Sequence, residues 1–194
     1  EAEELYSLLV PLSEDRLIVP RACVAEVVRF SQTEKLEGAH DWMLGTVNWN
    51  GRPLPVVSFE GALGKEPPIV TGRTRIVVFY ANTGQLKGGF FGILTQGFPQ
   101  LVRVNRDVLK LESKDGWPDA APVLCRVRMI NEFPLIPNLE QLEAMLANEA
   151  GIPYAAVAMS TDYDCWKEDE APVTWVEMLE VFNQNAHNVK KLLI

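Results

Sequence analysis

Apolar and polar positions along this chain change in short bursts, with a helical period only near the end. Leu5-Tyr6-Ser7-Leu8-Leu9-Val10-Pro11-Leu12 alternates imperfectly, Ser13-Glu14-Asp15 breaks the run, and Leu17-Ile18-Val19-Pro20 resumes it. That pattern predicts two short strands joined by a turn. Residues 22–30 carry β-branched side chains and predict a strand near 25–30, with a helical turn possible at its start. Residues 31–41 are polar, contain Gly38 and read as a loop. The burst Arg75-Ile76-Val77-Val78-Phe79-Tyr80 is the clearest strand. Lys87 to Leu94 returns from it after Ala81-Asn82-Thr83-Gly84, with Gly88, Gly89 and Gly92 permitting a bend. Further strands are expected at 98–104, at 108–111 as an edge, and at 123–130. Such spacing favours a small antiparallel barrel or barrel pair over a parallel sheet.

The organising stretch is Trp42 to Phe59. Apolar residues flank Asn50-Gly51, a pair that forms tight turns with positive φ. Trp49 and Leu54 are expected to pack near each other across the ladder. Pro53 and Pro55 lack ladder donors, so the returning strand should start at an edge or a bulge. Phe59 to Gly64 suggests one turn of helix, and Lys65-Glu66-Pro67-Pro68 a loop.

From Pro137 the period changes. Leu139, Leu142, Met145 and Leu146 fall at helical spacings, predicting a helix over about 139–149. Asn138 suits its N-cap, and Gln141 stands where a capping box is completed. Gly151-Ile152-Pro153 ends it, Tyr154 to Met159 reads as a short strand, and a second helix is expected near 174–193, capped by Thr174 with Glu177.

Composition narrows the function. The net charge is −8, from 18 basic and 26 acidic side chains, which argues against non-specific nucleic-acid binding and against an anionic membrane surface. Residues 1–146 hold a net of −3 and residues 147–194 a net of −5. Apolar runs fall short of a membrane span, and the acidic first residues do not read as a secretory signal. Cys23, Cys125 and Cys165 are an odd set without CxxC spacing, read as reduced thiols of a cytoplasmic protein. His40 and His187 stand at no diagnostic spacing from a cysteine and read as a loop and a helix-surface histidine. The glycines match no phosphate-binding pattern. No catalytic nucleophile, metal or cofactor is implied.

Two places carry candidate recognition chemistry. Trp42 and Trp49 are either core aromatics or interface anchors, and Arg52 at the turn has the reach for a partner. Thr161-Asp162-Tyr163-Asp164-Cys165-Trp166 follows the apolar run 154–159. In an extended segment Asp162 and Asp164 share one face, where a carboxylate accepts from a ring or amino N–H; the alternative is a solvated acidic loop.

The order of these segments over about 5–146 resembles the CheW-like adaptor domain of bacterial chemotaxis, in its pilus-associated variants. The resemblance rests on Leu8 to Pro20, Val24-Ala25-Glu26-Val27-Val28, Trp42 to Val57, Arg75-Ile76-Val77-Val78, the strand at 88–94 and Leu135-Ile136-Pro137-Asn138-Leu139-Glu140. It implies a mainly β fold, a pair of small antiparallel barrels, followed here by a short strand and C-terminal helices. It implies a non-catalytic adaptor joining a chemoreceptor-like protein to a histidine kinase regulatory domain. The family usually has Asn-x-Arg-Gly at the central turn. Here Asn48-Trp49-Asn50-Gly51 stands there, so Asn50 replaces the arginine and Arg52 is the nearby substitute. Trp49, Asn50 and Arg52 are therefore the expected contacts. Leu94 lies near the place of the family's usual aspartate on the later strand.

Residues 149–168 and 182–193 resemble the C-terminal part of a methylthioadenosine phosphorylase, chiefly through Thr161-Asp162-Tyr163-Asp164-Cys165-Trp166. That resemblance implies purine recognition by Thr161, Asp162 and Asp164, with methylthioadenosine and phosphate as ligands. The family's phosphate loop and ribose contacts have no counterpart here. The expected division is thus 1–146 as the adaptor domain and 147–194 as a phosphorylase-like fragment or helical appendage, joined as a fusion or chimera.

Overall fold

A computed structural model describes residues 4–84, 86–113, 116–118, 120–150, 180–181 and 184–185. The chain divides into two compact units, Glu1–Tyr154 and Ala155–Ile194. In the second, Glu180, Val181, Gln184 and Asn185 are helical. The strand expected at 154–159 and the rest of the helix expected at 174–193 lie outside the described residues.

The first unit is mainly β. A six-stranded sheet contains β1 (Leu5–Pro11), β2 (Arg16–Pro20), β8 (Gln100–Val104), β9 (Leu109–Ser113), β10 (Val123–Met129) and β11 (Leu135–Pro137), in the order β8-β1-β2-β11-β10-β9. A five-stranded sheet contains β3 (Val24–Arg29), β4 (Met43–Trp49), β5 (Arg52–Val57), β6 (Arg75–Tyr80) and β7 (Phe90–Thr95), in the order β3-β6-β7-β5-β4. Pairing is antiparallel apart from β11 on β2 and β5 on β7. A 3₁₀ turn, Arg21–Cys23, carries the chain from one sheet to the other. The short α1 (Phe59–Ala62) follows β5, and α2 (Leu139–Glu149) follows β11.

Each sheet packs one face on a central core and encloses a smaller cluster of its own on the other. Along β6, Ile76 and Val78 enter the interior of the five-stranded sheet beside Val47, Leu54, Val56 and Leu94. Val77 and Phe79 point the other way, into a central core with Leu8, Leu17, Phe59, Phe91 and Leu142. The six-stranded sheet has its own interior around Leu9, Ile18, Val104, Val127 and Met129. A strand covered on both sides reads as a continuous apolar run, as β6 does. In β7, a Cβ on Gly92 would stand 2.5 Å from Ile76 Cγ2, so only glycine fits beneath that side chain.

The Asn50-Gly51 turn sets the β4–β5 register, Trp49 opposite Arg52 and Val47 opposite Leu54. The direct cross-strand neighbour of Leu54 is therefore Val47, with Trp49 a diagonal neighbour packed on the same cluster. β5 is an interior strand, which corrects the expectation of an edge. Pro53 and Pro55 stand opposite Asn48 and Thr46 at positions that exchange no hydrogen bond with β4, and pairing with β7 begins only at Val56. A missing N–H costs nothing in either ladder. The bulge lies on β4, between Met43 and Gly45.

α2 spans the predicted residues, and Asn138 caps it by accepting from Gln141 N at 3.1 Å. The reciprocal half of the capping box is absent. Gln141 Nε2 donates to Ala120 O, and the Asn138 N–H donates to Pro122 O. Leu142 and Leu146 enter the central core. Glu143 on the same helix is 1% exposed, and its carboxylate accepts from Asn82 N, Thr83 N and Thr83 Oγ1 at 3.0, 3.0 and 2.7 Å. It ties α2 to the turn after β6.

Candidate functional site

The tip of the β4–β5 hairpin is built from Asn48 to Pro53. Asn50 and Gly51 take φ of 50° and 75°, the mirror-image turn whose twist matches its strands. Asn48 Oδ1 accepts from Gly51 N at 3.0 Å and holds the turn from inside. Sequence reasoning missed this role of Asn48; its signal is the asparagine three residues before the turn glycine.

Trp49 is half-buried. Its Nε1 donates to Glu26 Oε2 at 2.8 Å, and its ring meets Phe90 edge-on at 4.8 Å. Glu26 belongs to β3, the opposite end strand of the same sheet, so this bond draws the two ends together. The backbone groups of Glu34 and Thr46 exchange hydrogen bonds at 2.8 and 2.9 Å, adding a second link across the seam. Gly45 makes room for it: a Cβ there would lie 2.2 Å from Glu34 O.

Trp49, Asn50 and Arg52 are thus together on one turn, but not equivalent. Trp49 fixes the platform, Asn50 shapes the turn, and the Arg52 side chain is exposed with no hydrogen bond or ion pair among the described residues. A shallow groove of about 230 Å³ runs beside it, lined by Glu34, Thr46, Val47, Asn48, Gly51, Arg52 and Pro53. Leu94 is 1% exposed in the sheet interior, so that position packs the core and meets no partner. Trp42 packs against the central core, and its carbonyl accepts from Ser58 N at 2.8 Å. His40 stacks near Trp42 and pairs through Nδ1 with Glu149 at the end of α2.

A second polar region surrounds the β1–β2 turn. Glu60, 5% exposed, accepts from Ser13 N, Ser13 Oγ and Ser58 Oγ. Lys65 pairs with Glu14 at 2.8 Å, which holds its ammonium above the ordinary lysine range. Arg126 pairs with Asp15 at 3.0 Å. These groups satisfy one another. Burial pushes the Cys23 thiol up. No group of three or more metal-ligating side chains occurs among the described residues, and no described helix is long and apolar enough to cross a membrane. Thr161, Asp162 and Asp164 lie outside the described residues.

Comparison with known proteins finds two kinds of relative. A model of the CheW-like domain matches residues 7–142. The scaffolding protein TtCheW of Thermoanaerobacter tengcongensis has the same fold, with a TM-score of 0.61 at 16% identity over 73% of this chain and 89% of that one. S-methyl-5'-thioadenosine phosphorylases match a 52-residue stretch, at 48% identity in Xenopus tropicalis and 50% in Ciona intestinalis. That stretch is 27% of this chain and 18% and 19% of those proteins. The chain spans less than a fifth of the length of these curated relatives.

Proposed function

The chain belongs to the CheW-like domain family, and on that premise we propose that it is a non-catalytic adaptor in a chemotaxis or pilus-motility signalling system. In this reading it works in the cytoplasm, coupling a chemoreceptor-like protein to the regulatory domain of a histidine kinase. The observation that carries it is the hairpin tip. A stiff turn on a sheet buried on both faces presents one unpaired guanidinium beside a groove. Such a surface suits docking, because a turn whose backbone is already fixed loses little conformational freedom on binding, and its arginine steers an acidic partner.

The test is titration of the purified chain with a kinase regulatory domain by calorimetry. Arg52→Glu is expected to weaken the complex about tenfold or more, as loss of an interface anchor does. A folded protein that forms no complex removes that partner from the proposal.

The phosphorylase likeness favours a second reading for residues 147–194. Thr161, Asp162 and Asp164 would recognise a purine, with methylthioadenosine and phosphate as ligands. A base-recognition loop by itself does not position phosphate against the ribose, and that alignment is a large part of catalysis. Adenine released from methylthioadenosine in phosphate buffer by pure protein supports this activity. No turnover, with Asp162→Asn and Asp164→Asn equally silent, removes it.

A further inference from the structure

One end of the five-stranded sheet gathers cations without acids, and we propose that Arg29 and Arg75 form a binding site there for an oxyanion, a carboxylate or a phosphoryl group. The site lies apart from the hairpin tip and does not depend on the adaptor reading. Arg29 on β3 stands directly opposite Arg75 on β6, and Arg75 opposite Thr95 on β7. Residues paired in this way share a face, with Cβ atoms about 5 Å apart, and like charges so placed repel. Neither arginine has an ion pair among the described residues. Glu26, the acidic residue of β3, stands opposite Val78 on the other face of the sheet and holds Trp49. Nor does the sequence nearby offset the charge. From Pro67 to Arg106 it has no acidic side chain and five basic ones, Arg73, Arg75, Lys87, Arg103 and Arg106, in a chain of net charge −8.

Arg75 is held in place on one side and left open on the other. Its Nη1 donates to Gly72 O and Thr74 O at 3.0 and 2.8 Å, and the Phe98 ring, 5.6 Å from Cζ, covers one face of the guanidinium. Its Nε is buried and has no acceptor among the described residues. Folded chains rarely keep a buried donor in that state. The second such atom among the described residues is Gln96 Nε2, and Gln96 follows Thr95, the residue opposite Arg75. Both orphan donors thus belong to the same end of the β6–β7 ladder. An oxyanion supplies what this end lacks, lone pairs for the unused edge of Arg75 and negative charge beside two arginines. The guanidinium fork matches a carboxylate or phosphate, and bonds between such charged groups are short and strong. Phe98 is 68% exposed and belongs to none of the three apolar clusters, so its ring moves aside for an oxygen without disturbing them.

The experiment titrates the full ¹⁵N-labelled chain with sodium phosphate and, separately, with sodium succinate, and follows the Arg75 Nε–H resonance, with sodium chloride of matched ionic strength as the control. Phosphate or succinate is expected to shift that resonance saturably and to raise the unfolding temperature, and chloride to do neither. The tighter of the two shows whether the site takes a phosphoryl group or a carboxylate. Arg29→Gln is expected to weaken the binding about fivefold. With no oxyanion added, at low salt, the same variant should unfold at a higher temperature than the parent, because a like charge opposite Arg75 is gone. Arg103→Gln, on β8 and paired with Glu4, should leave the binding unchanged. Arg75→Gln should abolish it, and if that variant does not fold, the two results with Arg29→Gln decide. A resonance that moves with neither oxyanion, or equally with chloride, overturns the inference. Equal weakening by Arg29→Gln and Arg103→Gln also overturns it, since the attraction then belongs to a diffuse basic surface. So does a lower unfolding temperature for Arg29→Gln without added oxyanion, which would show that Arg29 is already satisfied within the fold.

Discussion

The five-stranded sheet and the six-stranded sheet solve the same problem differently. Each must close a curved wall around its own small interior while sharing a central core. In the five-stranded sheet the end strands are drawn together by Trp49 on Glu26 and by the Glu34–Thr46 bridge. Its interior strands β6 and β7 are buried along nearly their whole length. In the six-stranded sheet the end strands β8 and β9 are joined through the turn Asn105–Val108, where Asn105 Oδ1 accepts from Asp107 N and Val108 N. Leu101 and Leu111 on those end strands are each 58% exposed. The contrast teaches how each sheet closes its ends. The hairpin that presents Arg52 grows from the sheet whose end strands are tied by a side-chain hydrogen bond, Trp49 to Glu26.

The largest test of that contrast is a pair of truncations. Phe79 is fully buried and stacks on Phe91 at 5.5 Å, so Phe79→Ala should cost about 3–5 kcal/mol in urea unfolding. Leu111→Ala should stay within about 0.5 kcal/mol, as exposed substitutions do. Comparable losses at the two sites would show that the exposed end strand β9 bears as much of the fold as the core-facing β6.

Next comes the clamp on the β6–β7 turn. Glu143→Ala removes the acceptor of the Asn82 and Thr83 N–H groups and of the Thr83 hydroxyl, at an expected cost of about 1–3 kcal/mol. Glu143→Gln keeps one acceptor oxygen and should fall between the two. Amide exchange at Asn82 is the local readout, and it should quicken in the Ala variant before exchange in the six-stranded sheet does.

The same contrast governs how much of the molecule can be read from its residues. β6 was legible because Ile76 to Phe79 is apolar without alternation, the mark of a strand covered on both faces. The hairpin was legible because Asn50-Gly51 dictates its own turn, which placed Trp49, Asn50 and Arg52 together. What escaped depends on residues far apart. β11 is three residues long and finds its place through Leu135 opposite Leu17. Pro53 and Pro55 signal an edge by themselves, but lie in an interior strand because pairing with β7 starts later. Glu143 belongs to the polar positions of an amphipathic pattern, yet a turn 60 residues earlier buries it. The partner of Trp49, Glu26, stands 23 residues away and is set by the curl of the sheet. Thr161, Asp162 and Asp164 were singled out by a six-residue motif and lie outside the described residues.

A smaller effect separates the seam from the loop it supports. Trp49→Phe keeps most of the ring packing on Phe90 and removes the Nε1–H···Glu26 bond. Its expected cost is about 0.5–1.5 kcal/mol, at the lower end because Glu26 is exposed. Thermal unfolding measures it. If the seam stiffens the platform, affinity for the kinase regulatory domain should fall in this variant although Arg52 is untouched. Unchanged affinity would show that the turn holds Arg52 without help from β3.

The smallest effect lies where the chain passes between the sheets. Cys23 closes the 3₁₀ turn after β2 and packs against the central core, and burial there favours the neutral thiol. Its folded pKa is raised, so as pH climbs the unfolded chain loses this proton first. The stabilisation is complete below the ordinary thiol pKa of about 8.5 and disappears as pH rises through the folded value. Lys65 has the same sign for another reason. The hydrogen bond to Glu14 favours its ammonium, and its effect enters at higher pH, reduced by solvent at a side chain 46% exposed. Stability should therefore decline in two steps above neutrality, with Cys23 contributing the first. Cys23→Ala should flatten that first step, and Lys65→Met only the second. The corresponding chemical readout is alkylation of Cys23, slower than for free cysteine at pH 8 and accelerating only above the ordinary thiol range. A first step that persists unchanged in Cys23→Ala would assign the alkaline loss elsewhere and leave the crossing between the sheets indifferent to charge.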